Sequence, residues 1–588
     1  MFPAISAGIP LPGTSLFAVR KRRVRTPPDP AARQPRRVAP LPAARGHATR
    51  GPFHPHAMAR AARRHWLVLG LMAVALLLHL WGIRRDLPYI TEDPIFMDGA
   101  VRIASSGNLN PGRFNHPGST LIYPLAVAFR LWDAAAYGGP LFHADPSLNG
   151  RFQSHTAAFC LVARLLTVVY AVASVPIVYQ IGTVTAGATG GLIGALFAAL
   201  HPTEVFGKCV RTDSASLFFG LIALWSCLRL YAHPTWRNQL LAGGAIGLAI
   251  GTKYYLGTLV AVLVTVDVSI ISRRAALGLS LMTVWRDMVA GLAAVALAFG
   301  FSTPYFFLDY AAASSNLRTE LRSVSIGSDG LPPTGNFLWY LGVALPQSIS
   351  WPQVIAASLG LAVAARERQP QQALLVLFAT TFLVGISLHP LHWARWLIPI
   401  LPVVALFAAQ GLEMTVRHLG DRLSVPLLWR RVAVLLGVVL LAWDPTRAVV
   451  EIDRLHTHPS TGVVARQWIT ENLPPGSWLA FEWQTLPPPL DAQPIDLGHW
   501  VARDFGRNFT ELSMSKLAVR GTVTYYKREG FRYLVTSSLF YDYYPAHADA
   551  YPTEAAFYRA LLTEGRLLQR VTPSASRQGS EIRIYEIR

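Results

Sequence analysis

Apolar runs long enough to cross a bilayer recur through most of this 588-residue chain, and they limit its fold more than any motif does. In hydrocarbon every backbone N–H and C=O must be satisfied within the chain, so runs of about 18 or more apolar residues predict membrane helices. We read such spans at 66–83, 157–181, 188–202, 214–231, 239–252, 254–272, 288–306, 337–362, 373–389, 394–414 and 430–444. The chain is 52% hydrophobic and only 15% charged, which excludes a soluble enzyme. Its 16 Trp and 20 Tyr suit a protein with two wet interfaces, where amphipathic rings collect. Arg229 and Arg237, Arg273 and Arg274, Arg366 and Arg368, and Arg417, Arg422, Arg430 and Arg431 share one side in this scheme. The positive-inside rule makes that side cytoplasmic, with the N-terminus inside and the C-terminus outside. Residues 119–137 are apolar but broken by Pro124 and Arg130, so they predict an interfacial helix on the outer side.

Three regions follow: a basic leader over 1–57, a membrane domain over 58–448 and an extracytoplasmic α/β domain over 449–588. The leader supplies much of the net charge of +20, is rich in Pro and Ala, and cannot bury a core. Met58 opens Met-Ala-Arg-Ala-Ala-Arg-Arg, a natural start for a membrane protein, so the leader reads as a candidate mis-called start. The third region changes composition. Thr461 to Asn472 reads as an amphipathic helix closed by Pro474, Pro475 and Gly476. Trp478–Glu482, Arg532–Ser537 and Glu581–Ile587 read as strands. Cys160, Cys209 and Cys227 lie at no metal-ligand spacing and imply no disulfide framework. Gly190 and Gly194, and Gly243, Gly247 and Gly251, recur every fourth residue, a spacing for close helix packing rather than for cradling phosphate.

Ionisable residues gather where this topology places the outer helix ends. Glu92, Asp93 and Asp98 follow the first span. His201, Glu204, Lys208, Arg211 and Asp213 precede the fourth. Lys253, Tyr305, Asp309, His389, His392 and Arg395 come from later outer turns. Such residues are costly inside a bundle and mark function. Cations at a membrane face suit a lipid phosphate, and a carboxylate suits deprotonation of an incoming hydroxyl. Together they describe sugar transfer from a polyprenyl-phosphate carrier. His389 and His392 are three apart and suit a metal, but no third ligand is evident.

The sequence resembles the membrane-embedded glycosyltransferases of the C-type fold, in the branch of protein O-mannosyltransferases and lipid A aminoarabinose transferases. The likeness runs over roughly residues 66–588. It rests on the acidic first outer loop followed by Phe114, His116 and Pro117; on Arg211-Thr-Asp213; and on Thr252-Lys253-Tyr254. It rests also on Thr303-Pro304-Tyr305 with Asp309, on Arg395 ahead of Pro399 and Pro402, and on Gln467-Trp468-Ile469 through Pro474-Pro475-Gly476. The resemblance implies Asp93 as catalytic base. Relatives show Asp-Glu where this chain has Glu92-Asp93-Pro94, so either carboxylate remains open. It further implies phosphate contacts at Lys253 and Arg395 and a second polar site near the donor phosphate or a metal at Arg211 and Asp213; their common outer side adds Lys208 and Arg211 to the expected phosphate contacts and Asp309 and Tyr305 to the second site.

The expected protein is a polytopic helical membrane glycosyltransferase of the cell's inner (plasma) membrane. Its partners are a polyprenyl-phosphate-linked sugar, membrane lipids and an unspecified acceptor hydroxyl, with no nucleic acid. No cofactor is assigned, and a divalent metal stays open. The competing reading is a transporter or flippase of an anionic or lipid-linked substrate. Transporters place charges near the midplane and carry internal repeats; here the charges sit at outer helix ends and no repeat is found.

Overall fold

The computed structural model describes residues 55–87, 95–114, 117–201, 208–320, 324–325, 328–482, 485–486, 503–504, 509–514 and 516–587. The acidic pair Glu92 and Asp93, Glu204, His116 and residues 1–54 lie outside them. Residues 62–588 form one compact unit.

The membrane part is helical: α1 (Pro55–Leu80), α2 (Ile95–Ser106), α3 (Ser119–Tyr137), α4 (Ser147–Ser154), α5 (Thr156–Thr185), α6 (Gly187–Ala199), α7 (Thr212–Ala232), α8 (Trp236–Thr252) and α9 (Leu259–Ala276). It continues through α10 (Met282–Ser302), α11 (Tyr305–Leu308), α12 (Tyr310–Glu320), α13 (Pro333–Trp339), α14 (Leu345–Ile349), α15 (Trp351–Glu367), α16 (Pro370–Ser387), α17 (Leu401–Arg422) and α18 (Leu427–Leu455). A helix stands at each of the predicted spans. Among the described residues, however, seven are long and apolar enough to cross a bilayer, or eight if one bent pair counts as a single span. The expected count of eleven is not confirmed by length and apolarity; Arg64–Leu80 within α1, and Gly187–Ala199 (α6), are shorter apolar stretches.

The bent pair corrects the expected span at 337–362. Residues 333–349 and 351–367 meet at 114°. Ser350 takes φ 78°, ψ 152° at the joint, and Pro352, in the first turn of α15, has no N–H to continue the ladder. The stretch 119–137 is one helix, α3, with Pro124 inside it. Arg151 clamps its buried Asp133 through both oxygens, at 2.6 and 2.7 Å.

The glycine spacing works as packing. A Cβ on Gly243 would fall on the carbonyl oxygen of Gly291, and one on Gly247 on that of Val295. Only hydrogen at these positions lets α8 and α10 approach so closely. Gly360 on α15 and Gly411 on α17 face each other's backbones in the same way.

The C-terminal region is a six-stranded mixed sheet between helices. After the short pair β1 (Val324–Ser325) and β2 (Ser328–Asp329), its strands are β3 (Ser477–Glu482), β4 (Arg503–Asp504), β5 (Phe509–Met514), β6 (Tyr533–Ser537), β7 (Arg566–Val571) and β8 (Ile582–Glu586). Their spatial order is β4-β5-β3-β6-β8-β7, with β3 parallel to both β5 and β6. Period-2 alternation sends Leu479, Phe481, Val535 and Ile584 to one core with Ala465 and Ile469 of helix α19 (Thr461–Asn472). Ala480, Leu534 and Tyr585 go to the other core, with Tyr526, Phe557 and Tyr558. The predicted helix and three strands are present at these positions. β5 and β7 lack a legible alternation and were not predicted.

Candidate functional site

Asp213 is the centre of the site. It lies in the first turn of α7, where unsatisfied N–H groups favour a carboxylate. It is 2% exposed. Lys253 ends α8 in an extended conformation (φ −154°, ψ 120°), which turns its side chain off the helix axis. Its Nζ donates to Asp213 Oδ1 at 2.7 Å. Arg395 and Arg211 act electrostatically on the same carboxylate. Arg395 also lies over the Trp393 ring, 4.9 Å from its centroid. Four expected residues from three distant segments, Arg211, Asp213, Lys253 and Arg395, are thus brought together.

The first outer segment is pinned against this group. Thr120 and Thr252 share a hydroxyl hydrogen bond of 2.6 Å, and Gly118 N–H donates to the Thr252 carbonyl at 3.3 Å. A Cβ on Gly118 would strike both the Phe96 ring and the Thr212 methyl. Phe96, at the start of α2, therefore sits beside the residue that precedes Asp213. Tyr254, next to Lys253, donates to the Phe114 carbonyl at 2.9 Å.

Asp98 stands one turn into α2. Its Oδ2 is buried without a hydrogen-bond partner among the described residues. Burial pushes its carboxyl up to about 6, against the charges of Arg113 and Arg102.

Other expected residues fall elsewhere. Asp309 accepts from Asn110 Nδ2 at 2.9 Å and from Ala312 N–H at 3.4 Å, so it straps the 108–114 segment to the start of α12. Tyr305 opens α11, four residues before Asp309. Lys208 points away from Asp213. Its ammonium pairs with Asp453 at the end of α18 and donates to the Trp81 carbonyl at 2.8 Å. Nothing in the local sequence of Lys208 signals a partner in α18.

His389 and His392 do not converge on an ion. His389 Nδ1 accepts from Leu391 N–H at 3.0 Å, while His392 Nδ1 engages Asn336 at 2.8 Å. Among the described residues no three His, Cys, Asp or Glu side chains gather where a metal could be held. The sequence reading missed Asn336, which is fully buried. Its only signal was an amide at the start of an apolar run.

A small cavity lies within the helical bundle. Ser214, Leu217, Ser174, Val178, Leu401 and Pro402 line it, with His79 and His201.

Comparison with known proteins agrees with this architecture. Residues 159–301 match the family model described as dolichyl-phosphate-mannose-protein mannosyltransferase. That segment holds Arg211, Asp213 and Lys253. The structure is similar to the apo crystal structure of ArnT from Cupriavidus metallidurans, with TM-score 0.52 and 15% identity over 89% of this chain and 98% of that one. It is also similar to the oligosaccharyltransferase of Archaeoglobus fulgidus tethered to an acceptor peptide, with TM-score 0.51 and 11% identity over 85% of this chain and 72% of that one. No curated protein matches the sequence. The chain thus has the fold of these membrane glycosyltransferases and carries, over residues 159–301, the sequence pattern of the dolichyl-phosphate-mannose-protein mannosyltransferase family.

Proposed function

We propose that this protein transfers a sugar from a polyprenyl-phosphate donor to an acceptor hydroxyl on the outer side of the membrane. The observation that carries the reading is the gathering of Lys253, Arg211 and Arg395 around the buried Asp213. Cations in a low-dielectric setting suit a phosphate. The matched family's description, which names a dolichyl-phosphate-linked mannose, supports the same donor class.

In this reading Asp213 holds the three cations together against their mutual repulsion. The base is Asp93 or Glu92. Asp93 precedes Phe96 by three residues in sequence, and Phe96 sits beside Thr212. The base takes the acceptor's proton. The acceptor oxygen then bonds to the anomeric carbon as the bond from that carbon to the phosphate oxygen breaks. The cations stabilise the charge growing on the departing polyprenyl phosphate.

The test uses the full chain in proteoliposomes with undecaprenyl-phosphate-mannose, glucose and arabinose as donors. Loss of sugar from one lipid, with bare undecaprenyl phosphate appearing, is expected. A strain lacking the gene should lose one glycoconjugate. An unchanged glycan profile with altered uptake of a solute would establish the transporter reading instead. Reporter fusions after Arg237, Arg368 and Arg422 should report cytoplasm, and those after Asp309 and Arg454 the outside. An inside signal at Arg454 would overturn the assignment of the acceptor to the outer side.

A further inference from the structure

The segment between α16 and Arg395 is built around a fixed amide. Asn336 Nδ2 faces four carbonyl oxygens: His389 at 2.7 Å, Leu331 at 3.2 Å, Pro390 at 3.4 Å and Ser387 at 3.5 Å. Only the NH2 end of an amide can face carbonyls, so its Oδ1 is the end turned to His392 Nδ1, 2.8 Å away. An amide oxygen accepts only. His392 therefore carries its proton on Nδ1, and Nε2 is left as an acceptor. Burial lowers the histidine below its ordinary range, which keeps it neutral.

Aromatic faces stand beside this acceptor. The Trp339 ring lies 4.2 Å from the His392 ring between centroids, and both are partly exposed. Trp393 N–H donates to Tyr340 Oη at 3.2 Å, which fixes the turn, and Arg395 covers the Trp393 ring. Tyr255, two residues from Lys253, packs on Trp396 with centroids 5.1 Å apart. The wall is thus continuous with the cations at Asp213.

We propose that Trp339 and His392 form the subsite for the sugar ring of the donor, with His392 Nε2 accepting a sugar hydroxyl and Trp339 covering a C–H face of the ring. The proposal rests on the polyprenyl-phosphate reading above. His392 is three positions before Arg395 in the chain and next to Trp393, whose ring the Arg395 guanidinium covers. An acceptor-only nitrogen beside an aromatic face matches a pyranose, which offers O–H donors at its rim and apolar C–H bonds on its faces.

The test measures binding to the full chain in lipid nanodiscs. The probes are undecaprenyl phosphate and the same lipid phosphate carrying mannose, glucose or arabinose. His392→Ala and Trp339→Ala should each weaken the best-bound glycosylated probe by about tenfold, the loss of roughly one hydrogen bond or ring contact. Both should hold bare undecaprenyl phosphate within about twofold of wild type. His392→Gln, which restores an acceptor oxygen, should recover most of the loss, whereas Lys253→Ala should weaken both kinds of probe. Equal loss for bare and glycosylated probes, or loss for neither, overturns the subsite while leaving the phosphate reading intact. A wild type that binds bare undecaprenyl phosphate but no glycosylated probe also overturns it. A wild type that binds no probe at all overturns both.

Discussion

Two buried lysine–aspartate pairs hold this protein together, and they differ in what surrounds them. Lys253 and Asp213 are 40 residues apart and have Arg211 and Arg395 as further electrostatic neighbours. Lys208 and Asp453 are 245 residues apart and sit in a junction of segment ends. There Arg164 donates to the Ile83 and Arg85 carbonyls, Arg85 to His456, and Asp86 accepts from Ser460 N–H. Burial, with the charges of Arg85, Lys208 and Arg164, pushes His456 down to about 3, so it stays neutral and accepts. The first pair joins the start of α7 to the end of α8. The second ties the start of the outer segment to the end of the last membrane helix and the first turn of the sheet domain. In the proposed reading, one chemistry thus serves a binding role in one place and an architectural role in the other. The distinction lies in what else can reach the pair.

Removing one partner of the architectural pair should give the largest effect. Lys208→Ala leaves Asp453 buried without its cation, at a cost of about 3–5 kcal/mol. Lower yield and an earlier thermal transition are expected, with turnover per folded molecule within a few-fold of wild type. A stable Lys208→Ala protein with selectively lost donor binding would return Lys208 to the phosphate site and dissolve the comparison.

The functional side should respond the other way. Asp93→Asn keeps shape and removes the proton acceptor, so turnover should drop by about a hundredfold or more while melting is unchanged. Glu92→Gln should be milder. The reverse order moves the base to Glu92, and normal turnover in both removes this loop from the chemistry.

A third buried charge sharpens the contrast because it has no cation. Glu482, at the end of β3, accepts from Tyr558 and Thr536 hydroxyls at 3.0 and 3.1 Å and from Thr485 at 3.1 Å. Burial pushes its carboxyl from 4.5 up to about 7. The folded state then binds this proton more tightly than the unfolded chain, so stability falls as pH rises from about 4.5 to about 7. The full chain should melt lower at pH 8 than at pH 5, with Glu482 supplying about 2–3 kcal/mol of the difference. Glu482→Gln should remove that share; an unchanged difference would show that the carboxyl is not raised.

The smallest expected change comes from the double substitution Lys208→Met with Asp453→Leu. An apolar pair of similar volume avoids desolvating two charges and should melt within about 1 kcal/mol of wild type. Stability far below that would mean the junction needs the ion pair itself, as a specifying contact.

Much of the fold was legible beforehand. Each apolar run became a helix because transfer into hydrocarbon depends on local composition. Helix α19 and the strands around Trp478, Val535 and Ile584 followed from periodicity in the same way. The broken helix at Ser350 was not legible, since the apolar run continues across the bend and only backbone conformation marks it. The site was legible in part and with help from the resemblance. Residue types and their common side pointed to Arg211, Asp213, Lys253 and Arg395, yet the same reasoning put Lys208 with them.

By itself the sequence determined which segments are apolar enough to be buried and where charge is scarce enough to signify, because both properties add up residue by residue along the chain. Which cation meets which carboxylate was decided only by the tertiary structure. Lys208 and Lys253 look alike in sequence; one faces α18 and the other α7 because helix packing, set by contacts such as Gly243 on Gly291, fixes where each helix end arrives. An ion pair depends on separations of a few ångströms between segments far apart in the chain, and no local pattern encodes that distance.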